Sequence, residues 1–294
     1  MRRFFYALLV LLSAGCAATT PAPQPPVAVI PVPPAVPDTE GSSTPSQPPP
    51  KPSGVGFGST WTTELSRHEK LTPVARCQIV PVDMTTALVA EQRVTAFEDG
   101  RPTALAVRIT SDREQGKGDA PLPSLEGKSY VVESSAHGLV VRTTAGGPVP
   151  GDEARRVAAL ASTTLGWPGA ADPAKLADAV RAVVDAHMHG VPATKVDVAV
   201  HAEGPRHESW GDAIAFEVTL HATESDSGMC HHWTNDAKLA GEMLLRASDG
   251  ALVSLRLAGP TSDTEAVCQG NTTPHTCNEG VIDFDVRQPA LAAP

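Results

Sequence analysis

The run from Asp172 to His187 constrains this chain more than any other stretch. Leu176, Ala179, Val180, Val183, Val184 and His187 recur at helical spacing and predict one apolar stripe. Asp172 is placed to cap the first amides, Pro173 suits the first helical turn, and Gly190 offers a left-handed stop. A partner helix is expected just before it, capped by Asp152, faced by Val157, Leu160, Ala161 and Leu165, and ended by Gly166 and Pro168. The short connection predicts an αα-hairpin.

Strand-like alternation lies on both sides of this pair. Upstream, Leu88 to Phe97, the turn Asp99-Gly100 and Thr103 to Thr110 read as a hairpin. Lys128–Glu133 and Leu139–Thr143 read as another, joined through Ser134 to Gly138, and Glu114 to Pro123 as a broken loop between them. Downstream, Val196, Val198 and Val200 alternate with polar neighbours, as do Ile214, Phe216, Val218 and Leu220. Met243 to Ala247 and Leu252 to Leu257 flank the turn Ser248-Asp249-Gly250, and Ile282, Phe284 and Val286 close the series. One apolar and one polar face marks an antiparallel sheet packed on a single side. The order β-run, helix pair, β-run predicts an α+β domain, a curved antiparallel β-sheet with a central αα-hairpin packed on one face. A likeness between Leu125-Glu126-Gly127-Lys128 and Leu239-Ala240-Gly241-Glu242 is the one hint of duplication.

The N-terminus carries an address. Met1-Arg2-Arg3 precedes a charge-free run from Phe4 to Leu12 and then Ser13-Ala14-Gly15-Cys16, the plan of a secretory signal. The apolar core is too short for a permanent span. Leu12-Ser13-Ala14-Gly15-Cys16 resembles the lipobox of bacterial lipoproteins, with Ser13 where Leu is more usual. The resemblance implies a signal peptide over residues 1–15, cleavage before Cys16, and lipidation of the Cys16 thiol and new amino group. Several acyl chains on one residue give stable anchoring where one chain is marginal. Ala17, with no aspartate there, resembles the outer-membrane pattern of such lipoproteins. The likeness stops there and says nothing of the folded domain.

Residues 16–58 read as a tether. The proline runs around Pro21 and Pro48 cannot donate backbone hydrogen bonds and favour extended polyproline II, with a reach on the order of 100 Å. Residues 59–294 remain for the domain, divided into a first β region (59–150), the helix pair (151–190) and a second β region (191–288). The whole chain has 23 Lys and Arg against 33 Asp and Glu; without Arg2 and Arg3 the balance is 21 − 33 = −12. That excess argues against nucleic acid and anionic headgroups as partners, since both reward a basic face. With aromatic residues at 4%, a sugar-stacking platform is not expected either.

Four further cysteines, Cys77, Cys230, Cys268 and Cys277, predict two disulfides in an exported protein. Four cysteines allow three pairings; the turn-rich loop between Cys268 and Cys277 favours that pair, leaving Cys77 with Cys230. Cys230-His231-His232 offers metal-type ligands, but consecutive strand residues point to opposite faces. His187 and His189 sit where positive charge suits a helix end, and His201 and His221 fall on polar strand faces. With no His-x-x-x-His spacing, no metal and no cofactor are expected. Gly127-Lys128-Ser129 imitates a nucleotide loop, but Leu122 stands where its first glycine belongs. Asp283 and Asp285 share the outward face of one strand, as solvated acids do.

The sequence thus proposes no catalytic mechanism and favours a non-enzymatic protein. Two functions fit: a membrane-anchored binding or structural module in the cell envelope, or a carrier of acyl chains between sheet and helices. The second resembles, in outline only, the half-barrels of lipoprotein carriers. The membrane through Cys16 is the expected partner, with an envelope protein or an apolar ligand left open.

Overall fold

Long strands of alternating burial account for most of the folded chain. In the computed structural model, residues 56–288 are described, except 76, 78–81, 118–121, 169–171, 186–194, 228–230 and 268–273. The first strand, β1 (Thr60–Pro73), shows the rule: Trp61, Thr63, Leu65, Arg67, Glu69 and Leu71 turn inward while their neighbours face out. β2 (Asp83–Glu98), β3 (Arg101–Lys117), β4 (Ser129–Ser135) and β5 (Gly138–Thr143) follow by hairpins. Then come α1 (Gly151–Ser162) and α2 (Pro173–Asp185), and a second strand series. It comprises β6 (Lys195–Glu208), β7 (Gly211–Ser227), β8 (His231–Arg246), β9 (Leu252–Val267) and β10 (His275–Arg287).

All ten strands form one antiparallel sheet in the order β5-β4-β3-β2-β1-β10-β9-β8-β7-β6. Each series is a meander, and the seam between them is the β1–β10 ladder, running from Glu64↔Arg287 to Pro73↔Asn278. The edge strands are therefore β5 and β6, the two that the chain joins through the helices. α1 packs against β3, β4 and β5, α2 packs against β6, and the helices touch each other. Val157 and Leu160 of α1 and Leu176, Val180, Val183 and Val184 of α2 share one core with Leu65, Leu105, Phe216, Leu255 and Phe284 of the sheet.

This corrects the expected α+β fold. Among the described residues the chain is predominantly β, one ten-stranded sheet with two helices of 12 and 13 residues, rather than a curved sheet with a central αα-hairpin. The helices serve as the edge-to-edge connection. The misreading has a physical source: apolar alternation marks only the middle of each strand. Polar extensions such as Glu114 to Lys117, expected as loop, continue β3 by pairing with β2. The Leu125–Lys128 and Leu239–Glu242 likeness also dissolves, because the first lies in the turn before β4 and the second inside β8.

Local expectations fare better. Asp99 and Gly100 both adopt positive φ, 47° and 78°, the paired left-handed turn that suits a two-residue hairpin. Asp172 Oδ1 accepts from the amides of Ala174 and Lys175 at 3.1 and 3.4 Å and caps α2 as expected. α1 differs: Pro150 holds the cap position without a side-chain bond, and Asp152 lies in the first turn. Gly190, His187 and His189 lie outside the described residues.

Two polar clusters hold α1 on the sheet. At its start Glu153 accepts from Lys128 Nζ at 2.6 Å and from Tyr130 Oη at 2.9 Å, and Arg156 reaches Asp112 at 2.5 Å. At its end a neutral network joins Gln92, Thr63, Thr163 and Gln288; Gln92 Nε2 donates to Thr63 Oγ1 and to the Leu160 carbonyl, both at 2.9 Å. Burial, with Glu153 next to it, pushes the Tyr130 hydroxyl well above its usual range. Burial opposes ionisation of Glu153, yet the bonds from Lys128 and Tyr130 hold its carboxyl below the usual value. A depressed folded pKa means stability present above the unfolded value and lost as pH falls through the folded one. Glu153→Gln is therefore expected to lower Tm at pH 7, with the deficit shrinking below about pH 4.5. A deficit independent of pH, in paired thermal melts, would remove Glu153 from the acid response.

Candidate functional site

The inward face of the sheet is apolar for most of its area and turns polar toward one end of β7 to β10. On β9, Leu255 and Leu257 give way at the same parity to Thr261, Asp263 and Glu265, all buried. On β8 Leu239 and Ala237 give way to Asn235, on β7 Leu220 and Ala222 to Glu224, and on β10 Ile282 to Asn278. Register lines these up: Glu224 pairs with Asn235, Asn235 with Asp263, and Asp263 with Asn278. The result is a cross-strand row of four buried polar side chains.

Buried polar groups need partners. Asp263 obtains them from amides on either side: Oδ1 accepts from Asn235 Nδ2 at 2.9 Å and Oδ2 from Asn278 Nδ2 at 3.2 Å. Asn235 also donates to Thr261 Oγ1 at 3.1 Å. On β1, Arg67 and Glu69 share the inward face and pair at 2.5 Å while almost wholly buried.

The next row outward carries the reactive groups. Glu265 pairs across with His275, and between Thr276 and Asn278 the β9–β10 register slips by one residue. The extra residue of this bulge is Cys277. A bulge re-aims side chains, so Cys277 and Asn278 are both buried although they are consecutive. Past the end of β1 the amides of Val74 and Ala75 donate to the Cys277 carbonyl at 2.8 and 3.3 Å, which brings Cys77 alongside. Cys77 and Cys277 form a disulfide. Around it Cys77 Sγ lies 3.4 Å from His275 Nε2 and Cys277 Sγ lies 3.7 Å from Glu265 Oε2. Four ligand-type atoms, from Cys77, Glu265, His275 and Cys277, thus fall within 4.8 Å of one another.

The expected pairing of the cysteines is corrected by this bond. Cys77 joins Cys277 rather than Cys230, and Cys277 is not joined to Cys268 across the short loop. The reason is the β1–β10 seam, which a reading by loop length could not anticipate. Cys230, Cys268 and the lipidation candidate Cys16 lie outside the described residues. No known protein family matches the chain, and no curated protein is similar enough to count as a relative.

The other singled-out residues are dispersed. His201 faces Glu217 and His221 faces Asp197, so the two histidines are not cross-strand partners. His221 instead pairs with Asp236 on β8. His232 is exposed, with Thr234 Oγ1 at 3.2 Å from its Nε2. Lys128 of the imitation nucleotide loop is engaged by Glu153. Asp283 and Asp285 face outward among His68, Arg256 and Arg287.

Sequence reasoning missed Glu224, Asn235, Asp263, Glu265 and His275. A signal was present in Thr261, Asp263 and Glu265, which keep the parity of Leu255 and Leu257. Parity alone, however, cannot tell a buried acid from an edge that faces water.

Proposed function

We propose that this chain is a lipid-anchored lipoprotein of the cell envelope, the outer membrane favoured, whose folded unit is a non-enzymatic binding or structural module on a long proline-rich tether. The lipobox-like end at Cys16 supports the anchor, and the acidic balance of the mature chain supports a partner other than nucleic acid. One observation carries the choice of module over acyl-chain carrier. Leu176, Val180 and Val183 of α2 are 0% exposed within the same core as the sheet. Val180 and Val183 are small and β-branched, and side chains of that kind packed this closely suit helix-on-sheet contact better than the adaptable lining of a greasy slot.

Two measurements test the reading. Val183→Ala is expected to cost on the order of 1–3 kcal/mol of stability, as core truncations do, and the wild type is expected not to bind a fluorescent fatty acid saturably. One-to-one fatty-acid binding with an almost unchanged Tm in the variant would assign the carrier function instead. Cys16→Ser is expected to release the protein from the membrane fraction. Retention of the variant, with no acylated Cys16 peptide in the wild type, would remove the anchor.

A further inference from the structure

The bulge on β10 gathers a ligand set that the disulfide conceals. We propose that, once the Cys77–Cys277 bond is reduced, Cys77, Cys277, His275 and Glu265 form a four-ligand site for one borderline-soft divalent cation, Zn²⁺ being the best fit. Two thiolates, an imidazole and a carboxylate are the donor types this cation takes in tetrahedral sites.

The distances suit it. With Zn–S near 2.3 Å and Zn–N and Zn–O near 2.0–2.2 Å, the edges of a tetrahedral site run roughly 3.3–3.8 Å. Cys77 Sγ to His275 Nε2, at 3.4 Å, and Cys277 Sγ to Glu265 Oε2, at 3.7 Å, already lie in that range. The sulfur–sulfur edge must lengthen from a bond to about 3.8 Å, and the remaining edges, all within 4.8 Å, must close into the same range. Backbone geometry holds the rest: the β9–β10 pairing sets Glu265 opposite His275, and the bulge turns Cys277 inward beside them. The set is open on one side, since His275 is exposed and Cys77 half-buried, while Cys277 and Glu265 form a buried floor. A cation therefore has an entry path and a partly desolvated seat.

The chemistry balances in two steps. A dithiol reductant gives two electrons and two protons to the bond, becoming a disulfide itself and leaving Cys77 and Cys277 as thiols. Binding of the cation then displaces two protons from those thiols, so affinity rises with pH. A chain whose thiols have not yet been oxidised reaches the same state without the first step. A disulfide oxidant that takes two electrons from the bound thiolates by exchange, and leaves as two thiols with two protons from water, reforms the Cys77–Cys277 bond and releases the cation, which makes the site a redox-gated one.

The test uses the purified full chain, oxidised or reduced under argon, with Zn²⁺ and Co²⁺ as probes. The oxidised protein is expected to bind neither tightly. The reduced protein is expected to bind one Co²⁺ with a thiolate-to-cobalt charge-transfer band, and Zn²⁺ is expected to raise its Tm or restore its fold if reduction has loosened it. Because Cys230 and Cys268 also carry thiol-type sulfur, two variants separate the candidates. Cys230→Ser is expected to keep the charge-transfer band and Cys77→Ser to lose it. His275→Ala, which removes a direct ligand, is expected to weaken binding by at least about 100-fold, the upper end of what loss of an outer-shell partner costs. A band that survives Cys77→Ser, or a reduced protein whose Tm and fold do not respond to Zn²⁺, overturns the proposal.

Discussion

Gly280→Ala is expected to destabilise the domain by roughly 3 kcal/mol or more, one of the largest losses a single methyl can cause here. Gly280 lies on the inward face of β10, opposite Leu71 of β1 in the seam that joins the two strand series. A Cβ at that position would sit 1.7 Å from the Lys70 carbonyl oxygen. The obstructing atom is backbone within a hydrogen-bonded ladder, so no rotamer change relieves the contact; the strands must separate. Gly259, on the neighbouring strand β9, faces the same problem against β8, with the Lys238 oxygen 2.0 Å from its missing Cβ. Gly151→Ala supplies the control, because nothing lies within 4 Å of the added atom and alanine suits the start of α1. For a domain of this size a 3 kcal/mol loss lowers Tm by about 6–12 °C. If calorimetry finds Gly280→Ala within about 2 °C of the wild type, the register of the β1–β10 seam is wrong.

Loss of the Cys77–Cys277 bond is the second large effect. The bond links residues 200 apart in sequence, so on loop-closure entropy it contributes about 5 kcal/mol, an upper-end figure. It also fastens the end of β1 to the bulge of β10, next to the seam that Gly280 occupies. Reduction, or Cys77→Ser, is expected to lower the denaturant midpoint and to steepen the slope with denaturant, because the unfolded chain without the cross-link exposes more surface. Non-reducing peptide mapping is expected to find Cys77 linked to Cys277. With that pair taken, the cysteine count leaves Cys230 and Cys268 as the pair to be sought for a second bond. Recovery of a Cys268–Cys277 peptide would remove both the bond and the cation site proposed around it.

These two predictions show where local and long-range information divide. The Asp99-Gly100 turn, the Asp172 cap and the stripe from Leu176 to Val184 were legible because each depends on residues within a turn or two along the chain. The hairpins at Ser134–Gly138 and Ser248–Gly250 were legible for the same reason. Overall architecture was not, because nothing local says that β1 seeks β10 rather than closing its own series, and that pairing turned an expected α+β arrangement into one sheet with linking helices. The candidate site divides along the same line. Cys77 and Cys277 were visible as cysteines, but their pairing waited on the seam. Glu265 and His275 carried no motif at all; they meet because one ladder sets them opposite each other and one bulge turns Cys277 toward them. By itself the sequence determined the turns and faces of individual elements, since periodicity and capping act over a few residues. Only the tertiary structure decided which strands became neighbours and which polar residues were buried. Those outcomes depend on contacts between segments as far apart as Cys77 and Cys277, whose energies leave no periodic trace in the chain.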